Sequence, residues 1–111
     1  MCGFGLAVSR AFGDFDHKKV GVNEDVYRHD LVSAVPSVTS RAIGPGSDFV
    51  VLGCDGLFDV MSHQLVVDHV KAALIDGANV DVACQRLVDA SLDRYGSTDN
   101  VSAVLVCFNW E

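Results

Sequence analysis

No stretch of this sequence approaches the roughly 18 consecutive apolar residues that a membrane-spanning helix needs, so a membrane partner is not expected. Basic clusters are equally scarce. Nothing exceeds the pair Lys18-Lys19, and 15 acidic residues stand against 8 basic ones for a formal net charge of −7. That balance argues against a nucleic-acid partner, whose phosphates demand grouped Lys and Arg. There is no Cys-x-x-Cys pair and no His at zinc spacing near any of Cys2, Cys54, Cys84 and Cys107; free thiols are expected, which suits a reducing, intracellular (cytoplasmic or nuclear) setting. The opening MCGFGLAVSRAFGD has no basic region ahead of its apolar residues and is broken by Arg10, which argues against a signal peptide. Glutamate is reduced to Glu24 and Glu111.

What remains is ordinary globular composition, half hydrophobic and about a fifth charged, in 111 residues, enough for at most one domain. Phe4 to Gly13 is compatible with a short helix or an extended piece. Asp14 to Asp30 is polar and aperiodic and reads as a long surface loop. Leu31 to Thr39 alternates imperfectly around Pro36, which suggests an edge strand, and Gly44-Pro45-Gly46 is a turn. Phe49 to Cys54 is an apolar run with the signature of a fully buried strand. Ser62 is placed to cap a helix carrying Leu65, Val66, Val70, Ala73 and Leu74 on one face and ending at Gly77. Asn79 or Asp81 then caps a second helix, with Val80, Ala83, Leu87, Val88, Leu92 and Tyr95 on one face and Gly96 as its stop. Val101 to Phe108 is β-branched and reads as the last strand.

Two acidic stretches carry the candidate chemistry. In VVLGCDGLFDVMS, Val50 to Ser62, Asp55-Gly56 is compatible with a hairpin turn, but the residues before the cap at Ser62 are too few for a returning strand. The alternative is a strand that ends by presenting Asp55 at the rim of a sheet, with Gly56 allowing close backbone approach and a short turn carrying Asp59 toward the next helix. In GSTDNVSAVLVCF, Gly96 to Phe108, Asp99 and Asn100 precede the last strand. If the two strands are antiparallel neighbours, the end of one lies beside the start of the other and Asp55 and Asp99 share a rim. Facing carboxylates repel, and a hard divalent cation relieves that repulsion. The competing reading is that both aspartates are turn and cap residues. None of His17, His29, His63 and His69 has a ligand spacing, and all four read as surface residues.

Three stretches taken together, LAVSRAFGD (Leu6 to Asp14), CDGLFDVMS (Cys54 to Ser62) and GSTDNVSAVLV (Gly96 to Val106), resemble in order and spacing the metal-dependent protein phosphatases of the PPM, or protein phosphatase 2C, type. The resemblance spans nearly the whole chain. It implies an α+β fold, part of an α/β/β/α sandwich of two antiparallel sheets flanked by helices, with this chain, residues 1–111, as the carboxy-terminal portion of the domain. It implies that Asp55 and Asp99 ligate Mg²⁺ or Mn²⁺, that Asp59 belongs to a further, weaker metal site, and that a metal-activated water hydrolyses phosphoserine or phosphothreonine in a phosphoprotein substrate. Asn100, Gly56 and the first motif read as scaffold, and Arg10 as a structural ion-pair or capping residue in preference to a phosphate ligand. No side chain of this chain is expected to act as acid, base or nucleophile.

The family's upstream half, with its Asp-Gly-His-Gly-Gly stretch, phosphate-binding Arg and bridging Asp, has no counterpart. No His is followed by Gly, and the bridging ligand has no candidate. Two carboxylates make half a site and bind Mg²⁺ weakly, so this chain alone is expected to be inactive, with the missing half as a partner. Met1 runs directly into motif-like residues, which favours a truncated longer protein over the alternative of a genuine short, non-catalytic binding or regulatory module. A third reading is an unrelated α/β domain whose Asp-Gly and Asp-Asn turns coincide with the motifs.

Overall fold

The computed structural model describes residues 7–15, 18 and 32–110, in two units divided at Ala42 and Ile43. In the second unit the order is β1 (Phe49–Gly53), α1 (Asp55–Phe58), α2 (His63–Ile75), α3 (Val80–Asp89), a π-helical turn (Ala90–Arg94) and β2 (Ala103–Cys107). Strands β1 and β2 pair antiparallel, from Phe49 opposite Cys107 to Gly53 opposite Ala103. The mixed α+β expectation holds. The described residues contain this one two-stranded sheet.

Local chemistry fixes the helices. Ser62 Oγ accepts from the Leu65 N–H at 3.3 Å and Asn79 Oδ1 from that of Val82 at 2.8 Å, satisfying orphan donors at the starts of α2 and α3. Helix α2 stops at Gly77, whose φ of +85° suits the left-handed position after a helix; Ala78 N–H reaches back to Ala73 C=O and Gly77 N–H to Leu74 C=O, the Schellman pattern. The apolar faces of α2 and α3 bury Val66, Val70, Ala73, Ala83 and Leu87 together with Leu57, Met61 and Leu105. Phe49, Val51, Ala103 and Cys107, on one face of the sheet, pack against this cluster.

In the second unit, expectations about burial change. The strand at residues 49–54 is not fully buried: side chains alternate across a strand, and Val50, Leu52, Val104 and Val106 lie on an outer face with 44, 55, 57 and 42% exposure. Leu92, expected on the buried face of the second helix, is exposed, and Ser91 is buried in its place with its hydroxyl donating to Val88 C=O at 2.7 Å. Stepping four residues from Leu87 lands on Ser91, and the π turn, closed by Tyr95 N–H on Ala90 C=O, then returns half-buried Tyr95 to the inner side. His69 is half-buried and not a surface residue; its Nε2 lies 2.9 Å from the Tyr95 hydroxyl. The turn at Gly44-Pro45-Gly46 is present, closed by Ser47 N–H on Gly44 C=O at 2.7 Å.

In the first unit, residues 34–42 are exposed and form no strand. Ser33 makes one isolated parallel bridge to Arg10, and beyond it Pro36 has no N–H to give a ladder. Among the described residues Arg10 pairs with no carboxylate and caps no helix; its Nη2 donates to Ser37 Oγ at 3.0 Å. Most of the expected loop from Asp14 to Asp30, with His17 and His29, lies outside the described residues.

Candidate metal centre

Strand β1 delivers its chain directly into α1, so the Asp-Gly pair opens a helix and not a hairpin. Cys54 is the cap residue, and its carbonyl accepts from both Leu57 and Phe58. The antiparallel register carries Cys54 N–H to Ser102 C=O at 3.2 Å, which lays the end of β1 beside the loop that precedes β2. Gly56 is buried against that loop. A Cβ at Gly56 would strike the Asn100 carbonyl, 3.1 Å from its carbon, and lie 3.5 Å from Asp99 Cβ. The rim expected from sequence is therefore formed: Gly56 packs against Asp99-Asn100, and Asp55 and Asp99 lie at the same end of the sheet.

Both carboxylates are held alike. Asp55 Oδ1 accepts from the N–H of Gly56 at 2.9 Å, and Asp99 Oδ1 from the N–H of Asn100 at 2.7 Å. Both side chains are exposed, and the ion pairs among the described residues are Lys71 with Asp48 and Arg86 with Asp76. No cation of the described chain neutralises Asp55 or Asp99. Asp59 stands apart at the C-cap of α1, its N–H on Asp55 C=O at 2.8 Å, and is exposed.

The donor set suits a hard cation in kind: anionic oxygens with no thiolate or imidazole among them. In number it falls short, since no group of three or more His, Cys, Asp or Glu side chains close enough to hold an ion occurs among the described residues. Two groups that sequence reading passed over tie the rim together. Ser97 Oγ donates to Gly56 C=O at 2.7 Å, and the Cys54 thiol donates to Asn100 C=O at 3.3 Å while accepting from Ser102 N–H at 3.2 Å. Nothing in the pattern of either residue distinguishes it from a turn serine or a small core thiol. Cys54, Cys84 and Cys107 are free thiols, as expected, and each is half-buried.

Comparison with known proteins identifies the family. Residues 2–101 match the model of the family described as Protein phosphatase 2C. The chain is 42% identical over 104 residues to mouse Protein phosphatase 1B, covering 94% of this chain and 26% of that protein. It is 40% identical over 107 residues to human Protein phosphatase 1A, covering 93% and 26%, and 36% identical over 107 residues to rice Probable protein phosphatase 2C 42, covering 94% and 29%. It spans about a quarter of the length of these relatives. With the motif stretches and a match across residues 2–101 in agreement, the chain belongs to the protein phosphatase 2C family.

Proposed function

We propose that this chain is the carboxy-terminal portion of a metal-dependent protein serine/threonine phosphatase domain, contributing Asp55 and Asp99 as ligands to Mg²⁺ or Mn²⁺ and Asp59 to a further, weaker site. The observation that carries the reading is the packing of Gly56 against Asp99-Asn100, which puts Asp55 and Asp99 at the same end of the sheet. A bound divalent ion would supply an activated water and a clamp on phosphate oxygens. The chain's own contribution is positional. Each aspartate spends one oxygen on the following N–H, which fixes the carboxylate plane and leaves the second oxygen for the ion. The substrate is a phosphoprotein carrying phosphoserine or phosphothreonine, and the setting is intracellular, cytoplasmic or nuclear.

Two carboxylates hold a Mg²⁺-like ion weakly, because an octahedral site then depends mostly on water. The chain alone is accordingly inactive, and the remaining ligands come from the family's upstream half. Incubating the 111-residue chain with a phosphothreonine peptide and Mn²⁺ should give no turnover above background. Turnover that requires Mn²⁺ and disappears in Asp55→Asn would refute the claim of inactivity. The ligand assignment is tested separately by Mn²⁺ titration: Asp55→Asn and Asp99→Asn should each weaken binding by at least about tenfold, and Asp59→Asn by less.

One observation favours a second reading, a non-catalytic binding module. Val50, Leu52, Val104 and Val106 form an exposed aliphatic face, and such faces mark interaction surfaces. If neither aspartate variant alters Mn²⁺ binding, this reading displaces the first.

A further inference from the structure

We infer that Ser97 and Cys54 are positioning residues that set the separation of the Asp55 and Asp99 carboxylates; the inference rests on the reading of those aspartates as ligands. The difficulty they resolve is one of order. Asp55 stands at the start of a helix, whereas Asp99 lies in the irregular segment Gly96–Ser102, which belongs to neither α3 nor β2. An ion shared by two carboxylates needs their oxygens held to within about 0.5 Å, and an irregular segment does not provide that by itself.

Side chains supply the missing restraint. At the end of α1, Asp59 N–H bonds to Asp55 C=O and, beyond the helix, Met61 N–H to Leu57 C=O; the Gly56 carbonyl between them takes the Ser97 hydroxyl at 2.7 Å, across 41 residues of sequence. On the other side, the Cys54 thiol is aimed away from its own helix, whose start it leaves without a side-chain cap, and clips both Asn100 C=O and Ser102 N–H. The two attachments flank the aspartates: Cys54 precedes Asp55 and Ser97 precedes Asp99, and each reaches the backbone on the opposite side of the rim. Ser97 is itself placed by the end of the preceding helix. Gly96 takes φ of +71°, and Ser97 N–H bonds to Ser91 C=O at 2.9 Å. The absent Cβ of Gly56 lets the two backbones close to contact, and the hydroxyl and thiol fix where along that contact they stop.

The test compares side chains of equal shape. Thr keeps the hydroxyl of Ser97 and Val removes it, so Ser97→Thr should retain Mn²⁺ affinity and Ser97→Val should lose roughly tenfold, as for other groups that orient metal ligands. Affinity is read by the electron paramagnetic resonance of free Mn²⁺, alongside urea midpoints and metal-free amide spectra. In the metal-free spectra, Ser97→Val should shift the Gly56 and Asn100 signals. Equal affinity of the Thr and Val variants, or loss in both, overturns the inference, as does a weakening that the fall in folded fraction accounts for. Should Ser97→Val not fold, the Cys54→Ser and Cys54→Ala pair carries the same contrast. Asp55→Asn separates the two levels: if it leaves affinity unchanged, the ligand reading fails and takes the inference with it; if it weakens binding while Ser97→Val does not, positioning alone fails.

Discussion

The two faces of the β1/β2 ribbon are built from the same kind of residue and have opposite surroundings. Inward, Phe49, Val51, Ala103, Leu105 and Cys107 meet the helices; outward, Val50, Leu52, Val104 and Val106 are each more than two-fifths exposed. Hydrophobicity alone therefore does not report burial here. An apolar run with no polar alternation is what a strand covered on both faces requires, and the described residues cover one. The outer face carries the sequence of a buried surface.

The contrast can be broken most sharply at neighbouring positions. Leu105→Ala, at 8% exposure, should cost about 2–5 kcal/mol of unfolding free energy in a urea melt, the range for emptied core sites. Gly56→Ala acts at the rim, where the added Cβ meets the Asn100 carbonyl; the overpacking should cost about 1–3 kcal/mol, and Mn²⁺ affinity should fall with it. Asn79→Ala removes the cap of one of the covering helices and should lower stability by about 1 kcal/mol. Val104→Thr, one residue from Leu105 but at 57% exposure, should change stability by less than about 0.5 kcal/mol while raising the concentration at which the chain stays monodisperse in light scattering. A large loss from Val104→Thr would mean that the outer face is covered in solution.

Much of the covered side was legible in the sequence because its signals are local. Ser62, Asn79 and Gly77 each act within one helical turn, and all three sit where capping chemistry places them. The antiparallel rim was legible because two turn motifs flanked two β-branched runs, and it brought Asp55 and Asp99 to one end of the sheet as expected. The features that escaped depend on other parts of the chain. Whether Val50 is buried depends on what lies over it, which its own alternation does not encode. The edge strand expected around Pro36 needed a partner, and the described residues give Ser33 a single bridge. Ser91 and Leu92 exchange roles because a polar residue can be buried once its hydroxyl finds a carbonyl, a condition invisible to a count of apolar positions.

The π turn at Ala90–Arg94 has a consequence for how this region tolerates changes of length. Each residue added to or removed from an α-helix rotates everything after it by about 100°, and a π turn holds one residue more per hydrogen-bonded loop than an α turn. Tyr95 N–H on Ala90 C=O and Ser97 N–H on Ser91 C=O make that surplus residue part of the route by which Ser97 arrives at Gly56. Deleting one residue here would restore an ordinary helix and swing the Asp99 segment off the rim. Single-residue deletions between Val88 and Gly96 should thus be far more damaging than substitutions at the same exposed positions, such as Leu92 or Asp93.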